Sequence, residues 1–142
     1  MAGSNVPTLG AGSKLYYEPS AAPGTWVLLP NALNIGEVGE QGEFIETTPI
    51  SAEIREYTRG LKTPPNKTIT FNDTPGDADY VAFLAEVDAD ATLQFKVEYK
   101  NNHQGIFTLV LSGRLMQEAE GGAQLKMNIF GQQTGGTAWS VI

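Results

Sequence analysis

The sequence predicts a mainly β domain: a β-sandwich or half-barrel of antiparallel strands with one α-helix against a flank. Three observations predict it. Ala91–Lys100 places apolar residues at every odd position and polar residues at every even one, the period of a strand with one buried and one wet face. Ala123–Phe130 repeats the alternation after Gly121 and Gly122. One segment alone has helical spacing, with Tyr80, Phe83, Leu84 and Val87 at i, i+3, i+4 and i+7.

Residues 1–12 are small and turn-prone and read as an N-terminal arm. Lys14–Tyr17 and Thr25–Leu29, separated by a Pro- and Gly-containing turn at 19–24, predict a hairpin. Gly36, Gly39 and Gly42 punctuate a loop before a plausible strand at Glu43–Thr48. Residues 50–66 hold Gly60, Pro64 and Pro65 without a sustained period, so a long loop is expected there. Lys67–Asn72 is a short strand. For the helix, Thr74 is the expected cap and Pro75 suits the first turn, while Asp77 and Asp79 favour the positive end of the dipole. Its end is poorly marked: Asp88 and Asp90 have the wrong sign and no Gly follows closely. Asn101–Gly105 is a turn. Ile106–Ser112 is apolar on one face and mixed on the other, which implies partial burial of both.

At 142 residues the chain suits one domain, 1–142, with a core of its own. It has no Cys, so neither a disulfide nor a thiolate metal site can be built. No run is long and apolar enough to span a bilayer, and the first residues lack a basic-then-apolar signal, so a soluble, cytosolically made protein is expected. The formal net charge of −7 argues against gripping phosphate. Between Lys14 and Arg55 lie six glutamates and no basic residue, as a soluble surface or something more specific would have. Past Lys126 no side chain is charged, and Ile129, Phe130, Trp139, Val141 and Ile142 are apolar. Free ends are usually polar, so residues 132–142 are expected as an arm buried on their own domain or on a neighbouring subunit.

Catalytic chemistry finds little footing. His103 is the only histidine and sits in a turn between Asn102 and Gln104, with no acid or nucleophile tied to it by sequence. One His without Cys cannot form the usual zinc sites. Asp73, Asp77 and Asp79 do not have the spacing of a calcium loop. Gly10-Ala-Gly-Ser-Lys14 has the end of a phosphate loop but lacks the upstream Gly and the helix that must follow. Asn66-Lys-Thr68 is a glycosylation triplet with no secretory signal beside it. Tyr16, Tyr17, Trp26, Tyr57 and Trp139 could offer sugar-stacking faces, although packing is the commoner use of such rings. No enzyme activity, cofactor or metal is expected.

Taken in order, the elements resemble a known family. Gly10-Ala-Gly12 leads into Ser13–Tyr17, and Ile54-Arg-Glu-Tyr-Thr-Arg-Gly-Leu-Lys62 lies in the long loop. Thr68-Ile-Thr-Phe-Asn-Asp73 is followed by the helix start Asp77-Ala-Asp-Tyr80, then by antiparallel strands. This set is similar to the tail tube (major tail) protein of long, non-contractile-tailed, lambda-like bacteriophages, over most of residues 10–131. The resemblance implies a structural subunit whose hexameric rings pool strands into a closed barrel. The rings stack into a hollow tube that conducts genomic DNA during ejection, without specific DNA binding and without a membrane. It implies tape-measure, tail-tip and tail-terminator partners, and a place in the virion tail after assembly in the host cytoplasm.

With that frame, Arg55, Arg59 and Lys62 are expected at inter-ring contacts with acidic patches, against the plainer reading of a solvated loop. Gly10, Gly12, Tyr57, Phe130 and Trp139 are the other expected contact residues. Glu37, Glu40, Glu43 and Glu46 are expected near the lumen or a ring face, with Thr92, Gln94, Lys96 and Glu98 equal candidates for the lumen. Two alternatives stay open: a tube protein of a contractile tail or secretion-system needle with the same fold, and a monomeric β-sandwich carbohydrate-binding module.

Overall fold

A computed structural model describes residues 11–64 and 66–141. Nine strands and one helix follow in the order β1 (Lys14–Tyr17), β2 (Val27–Leu29), β3 (Ala32–Asn34), β4 (Gln41–Glu46), β5 (Tyr57–Thr63), β6 (Asn66–Asn72), α1 (Ala78–Asp88), β7 (Thr92–Glu98), β8 (His103–Met116) and β9 (Lys126–Val141). Seven strands make one antiparallel sheet in the order β2-β1-β7-β8-β9-β6-β3. The edge strands β2 and β3 are consecutive in the chain, joined only through Pro30 and Asn31. Laid flat at strand spacing, the edges would stand roughly 29 Å apart. The link from Leu29 to Ala32 reaches at most about 11 Å. The sheet therefore curls until its edges approach, giving a nearly closed barrel.

The inward face is apolar because the alternation demands it. Leu93, Phe95 and Val97 of β7 are buried, as are Phe107, Leu109 and Leu111 of β8 and Ile69 and Phe71 of β6. Helix α1 connects the end of β6 to the start of β7 and turns Tyr80, Phe83, Leu84 and Val87 into this interior. Phe83 is the central peg, with ring centroids 5.0 Å from Tyr17, 5.6 Å from Phe71 and 5.8 Å from Phe95.

The helix starts later than its sequence suggests. Asp77 is the cap and accepts from the Asp79 amide at 3.1 Å. Thr74 is taken by a tertiary contact: its hydroxyl accepts from Asn31 Nδ2 at 2.8 Å. Pro75 and Gly76 form a turn closed by the Asp77 amide on the Thr74 carbonyl at 3.0 Å. At the other end Asp90, with φ +54°, takes the left-handed conformation that Gly usually supplies.

Two expected loops or arms are strands. Within 50–66, β5 pairs antiparallel with β4 as a separate two-stranded ribbon, and β6 already begins at Asn66. The pattern was silent because all but one of the β5 residues are exposed, so no face is selected for burial. The segment 132–141 is the second half of β9, bonded to β8 as far as His103 opposite Val141. Gly135, Gly136 and the polar Gln and Thr residues obscured its alternation. Removing it would strip the first half of β8, His103–Val110, of its β9 partner, so the segment is a strand of its own domain's sheet and not an arm. Residues 1–10, most of the expected N-terminal arm, and Ile142 lie outside the described residues.

Candidate assembly surfaces

Four of the eight expected contact residues, Arg55, Tyr57, Arg59 and Lys62, fall on the β4–β5 ribbon or on the turn that joins its strands. Among the described residues its strands pair with each other and with no strand of the main sheet. Phe44, Ile45, Ile54 and Tyr57 are exposed, Leu61 is 90% exposed and Ile50 fully so. A two-stranded ribbon is marginal alone, and apolar side chains concentrated on one projecting element mark a protein contact. Arg59 and Lys62 ride β5 and Arg55 the turn before it, with Glu43 and Glu46 on β4. Arg55 lies 3.9 Å from Glu46, an exposed ion pair worth ~0–1 kcal/mol.

The connector from β3 to β4, residues 35–40, fixes the root of this ribbon. From β6, Lys67 points inward at the position its alternation with Ile69 and Phe71 requires, and it is 3% exposed. Its ammonium donates to the Glu37 carbonyl, approaches the Ile35 carbonyl at 3.5 Å and stands 4.8 Å over the Phe107 ring. Burial pushes its pKa down to about 8, while the Glu37 carboxylate pulls the other way. At the far end of the connector, the Glu40 carboxylate accepts from Thr137 Oγ1 at 2.9 Å, the Thr137 amide at 3.3 Å and Gln133 Nε2 at 3.3 Å. Burial pushes the Glu40 carboxyl up, but the Thr137 and Gln133 hydrogen bonds and nearby Lys62 outweigh it and leave the carboxyl below its usual value. Glu40 is thus a tie to β9, whereas Glu37, Glu43 and Glu46 are not held in this way. Sequence reasoning gave Lys67, Gln133 and Thr137 no role. A lysine in phase with Ile69 and Phe71 was the one available signal.

A cavity of about 550 Å³ opens between the connector and the ends of β5 and β9, lined by Glu37, Gly39, Glu40, Lys62, Thr137 and Trp139. Trp139 packs across β8: a Cβ at Gly105 would sit 3.0 Å from its ring, and the His103 ring meets it edge-on at 5.2 Å. His103 therefore supports an aromatic. Gly12 takes φ +93° beside the Lys100 stem. Phe130 is half-buried on the outer face of β9, and Gly10 lies outside the described residues.

On the outer face of β7, Lys96 is 3.3 Å from Glu98 and lies between the rings of Tyr16 at 4.7 Å and Trp26 at 5.0 Å. The chain's own ammonium occupies the faces a sugar would use. Tyr17 is in the core. Around this pair the outer face mixes the hydroxyl and amide side chains of Thr92, Gln94, Thr108, Ser112, Thr70 and Asn128 with the apolar ones of Ile106, Val110 and Phe130. Among the described residues no group of three or more His, Asp or Glu could hold a metal ion, and no helix is long and apolar enough to cross a membrane.

A curled antiparallel sheet, a helix packed in its interior and a projecting apolar ribbon define a structural subunit whose working parts are surfaces. The chain belongs to the phage tail tube protein family, which it matches over residues 9–141. That makes it a structural, non-enzymatic tube subunit and a component of a virion tail. No curated protein matches it. Solved structures that share the fold include the three that follow. A chain of the anti-feeding prophage (AFP) baseplate aligns with TM-score 0.77 at 7% identity over 97% of this chain and 98% of that one. The tail of an empty GTA particle gives 0.74 at 9% identity over 95% and 100%. The SPP1 tail tube gives 0.71 at 16% identity over 96% and 80%.

Proposed function

We propose that six copies of this chain close into a ring and that rings stack into a hollow tube through which DNA leaves a virion. The observation that carries the reading is the β4–β5 ribbon, whose exposed apolar side chains need a neighbouring copy to cover them. A head-to-tail contact closes into a ring in one direction and continues as a tube in the other. Arg55, Tyr57, Arg59 and Lys62 make contacts between rings, and Gly12, Phe130 and Trp139 contribute to contacts between subunits. Glu37, Glu43 and Glu46 lie at a ring face.

The outer face of the main sheet lines the channel. Its hydroxyl, amide and apolar side chains, with Lys96 neutralised by Glu98, offer moving phosphates no counter-charge to hold them. Tape-measure protein fills the tube during assembly in the host cytoplasm, and tail-tip and terminator proteins close its ends. A contractile-system tube is the second reading, favoured by a further structural neighbour, the PVC sheath–tube complex of an extracellular contractile injection system. An added sheath protein that coats the finished tube would establish it.

The test is sedimentation and negative-stain microscopy of the purified chain over a wide concentration range. Rings or hollow tubes are expected. A monomer at every concentration would overturn the reading, and glycan binding by that monomer would support a carbohydrate module.

A further inference from the structure

The charges are segregated along the strand direction. Strand register defines two ends of the sheet. At one end β6 finishes at Asn72 beside Lys126, β8 finishes at Met116, β7 begins at Thr92, and α1 crosses between them. At the other lie the 99–103 turn, the C-terminal half of β9, the connector and the root of the ribbon. The first end, residues 18–26, 73–92 and 114–126, holds nine acidic and two basic side chains, a formal −7. The rest of the chain holds seven of each, a formal zero. The whole net charge of the protein therefore sits at the end away from the ribbon.

A second feature marks the acidic end independently. Leu115, Met116 and Leu125 are exposed there, at 63%, 46% and 50%. They lie where β8 leaves the sheet and β9 enters it, with Glu118 and Glu120 in the connection between them. The ribbon offers the complement: Ile50, Ile54 and Leu61 beside Arg55 and Arg59. Apolar groups flanked by acids on one end match apolar groups flanked by cations on the other.

We propose that the β8–β9 end of one copy, through Leu115, Met116, Leu125, Glu118 and Glu120, receives the β4–β5 ribbon of a second copy in the adjoining ring. The inference rests on the tube reading above and adds which surface the ribbon meets. It also gives stacking a direction. Two acidic ends brought face to face repel each other, so the reversed contact is disfavoured and growth is head-to-tail.

The test is charge reversal followed by microscopy and pelleting. Arg55→Glu with Arg59→Glu leaves rings intact and raises the concentration needed for tubes about tenfold or more. Glu118→Arg with Glu120→Arg does the same, and mixing all four changes in one chain restores tubes. Leu115→Ser with Leu125→Ser gives rings without tubes by an uncharged route. Persisting rings show that each variant folds. Four outcomes overturn the proposal while leaving the tube reading in place: tubes indifferent to both reversals, reversals that abolish rings instead of stacking, no restoration in the fourfold variant, and normal tubes from the serine variant. If the unaltered chain forms neither rings nor tubes, the tube reading itself fails, and this inference with it.

Discussion

Lys67→Met is expected to change how stability depends on pH far more than it changes stability at neutral pH. Lys67 is the buried cation of the connector, and burial lowers its pKa from 10.5 to about 8. The unfolded chain therefore binds this proton more tightly than the fold does. Below pH 8 both states are charged and the fold carries the full desolvation cost, about 3 kcal/mol from the size of the displacement. Between pH 8 and 10.5 the fold sheds the proton first, and the cost is relieved as pH rises. Wild type thus gains about 2 kcal/mol between pH 7 and 9.5 that a methionine variant does not. At pH 7 the two proteins stay close, because Met removes the desolvation cost but strands the Glu37 and Ile35 carbonyls at about 1–3 kcal/mol each. Tyr16, Tyr17, Tyr80 and Tyr99 are all raised by burial, so the fold loses stability on their account only above pH 10, outside the window. Urea titrations below the onset of assembly, at pH 7 and 9.5, give the two stabilities. Parallel changes in wild type and variant would refute the buried ammonium and the tie it makes.

Two further perturbations probe the same region. Glu40→Gln weakens the hydrogen bonds from Thr137 and Gln133 and costs about 1 kcal/mol at pH 7. Because the Glu40 carboxyl is held below its usual value, its contribution is present above the unfolded pKa and lost as pH falls through the folded one, so denaturant midpoints of wild type and variant should converge in acid. Gly105→Ala puts a methyl 3.0 Å from the Trp139 ring and 3.4 Å from Val38, an overpacking that costs about 1–3 kcal/mol. Shifted tryptophan emission with a lowered Tm is the expected readout, and an unchanged spectrum would mean the ring does not lie on Gly105.

What could be read from the sequence was whatever burial wrote there. The strict alternation of β7, the start of β9 and the Tyr80–Val87 stripe each come from one face meeting a core. The β1–β2 hairpin was legible for the same reason. Of the ribbon, β4 was legible as the strand expected at Glu43–Thr48, whereas β5 was illegible because all but one of its residues are exposed and no face is selected. β5 was legible only as part of a charged, aromatic segment, which is why its cations were candidates while its strand was not. The helix cap misled because Thr74-Pro75 satisfies the local rule, and only Asn31, far away in sequence, takes the hydroxyl. The third strand is three residues long and carries no pattern. The ties of the connector could not be seen, since Lys67 and Glu37 are 30 residues apart and Glu40 and Thr137 are 97 apart.

The chemistry of those ties explains how a ribbon with no sheet partner can serve assembly. An arm that must be ordered at the moment of contact adds conformational entropy to the cost of association. Apolar packing at its root would hold it, but would also consume the side chains that a neighbour needs. Here the root is held by polar groups: an ammonium on backbone carbonyls at one end of the connector and a carboxylate on a hydroxyl, an amide and a glutamine at the other. The ribbon is aimed before the partner arrives, while Phe44, Ile50, Ile54 and Leu61 stay free to be buried by it. A variant that loosens the root without touching those side chains should therefore slow assembly more than it weakens the finished contact, which separates aiming from adhesion.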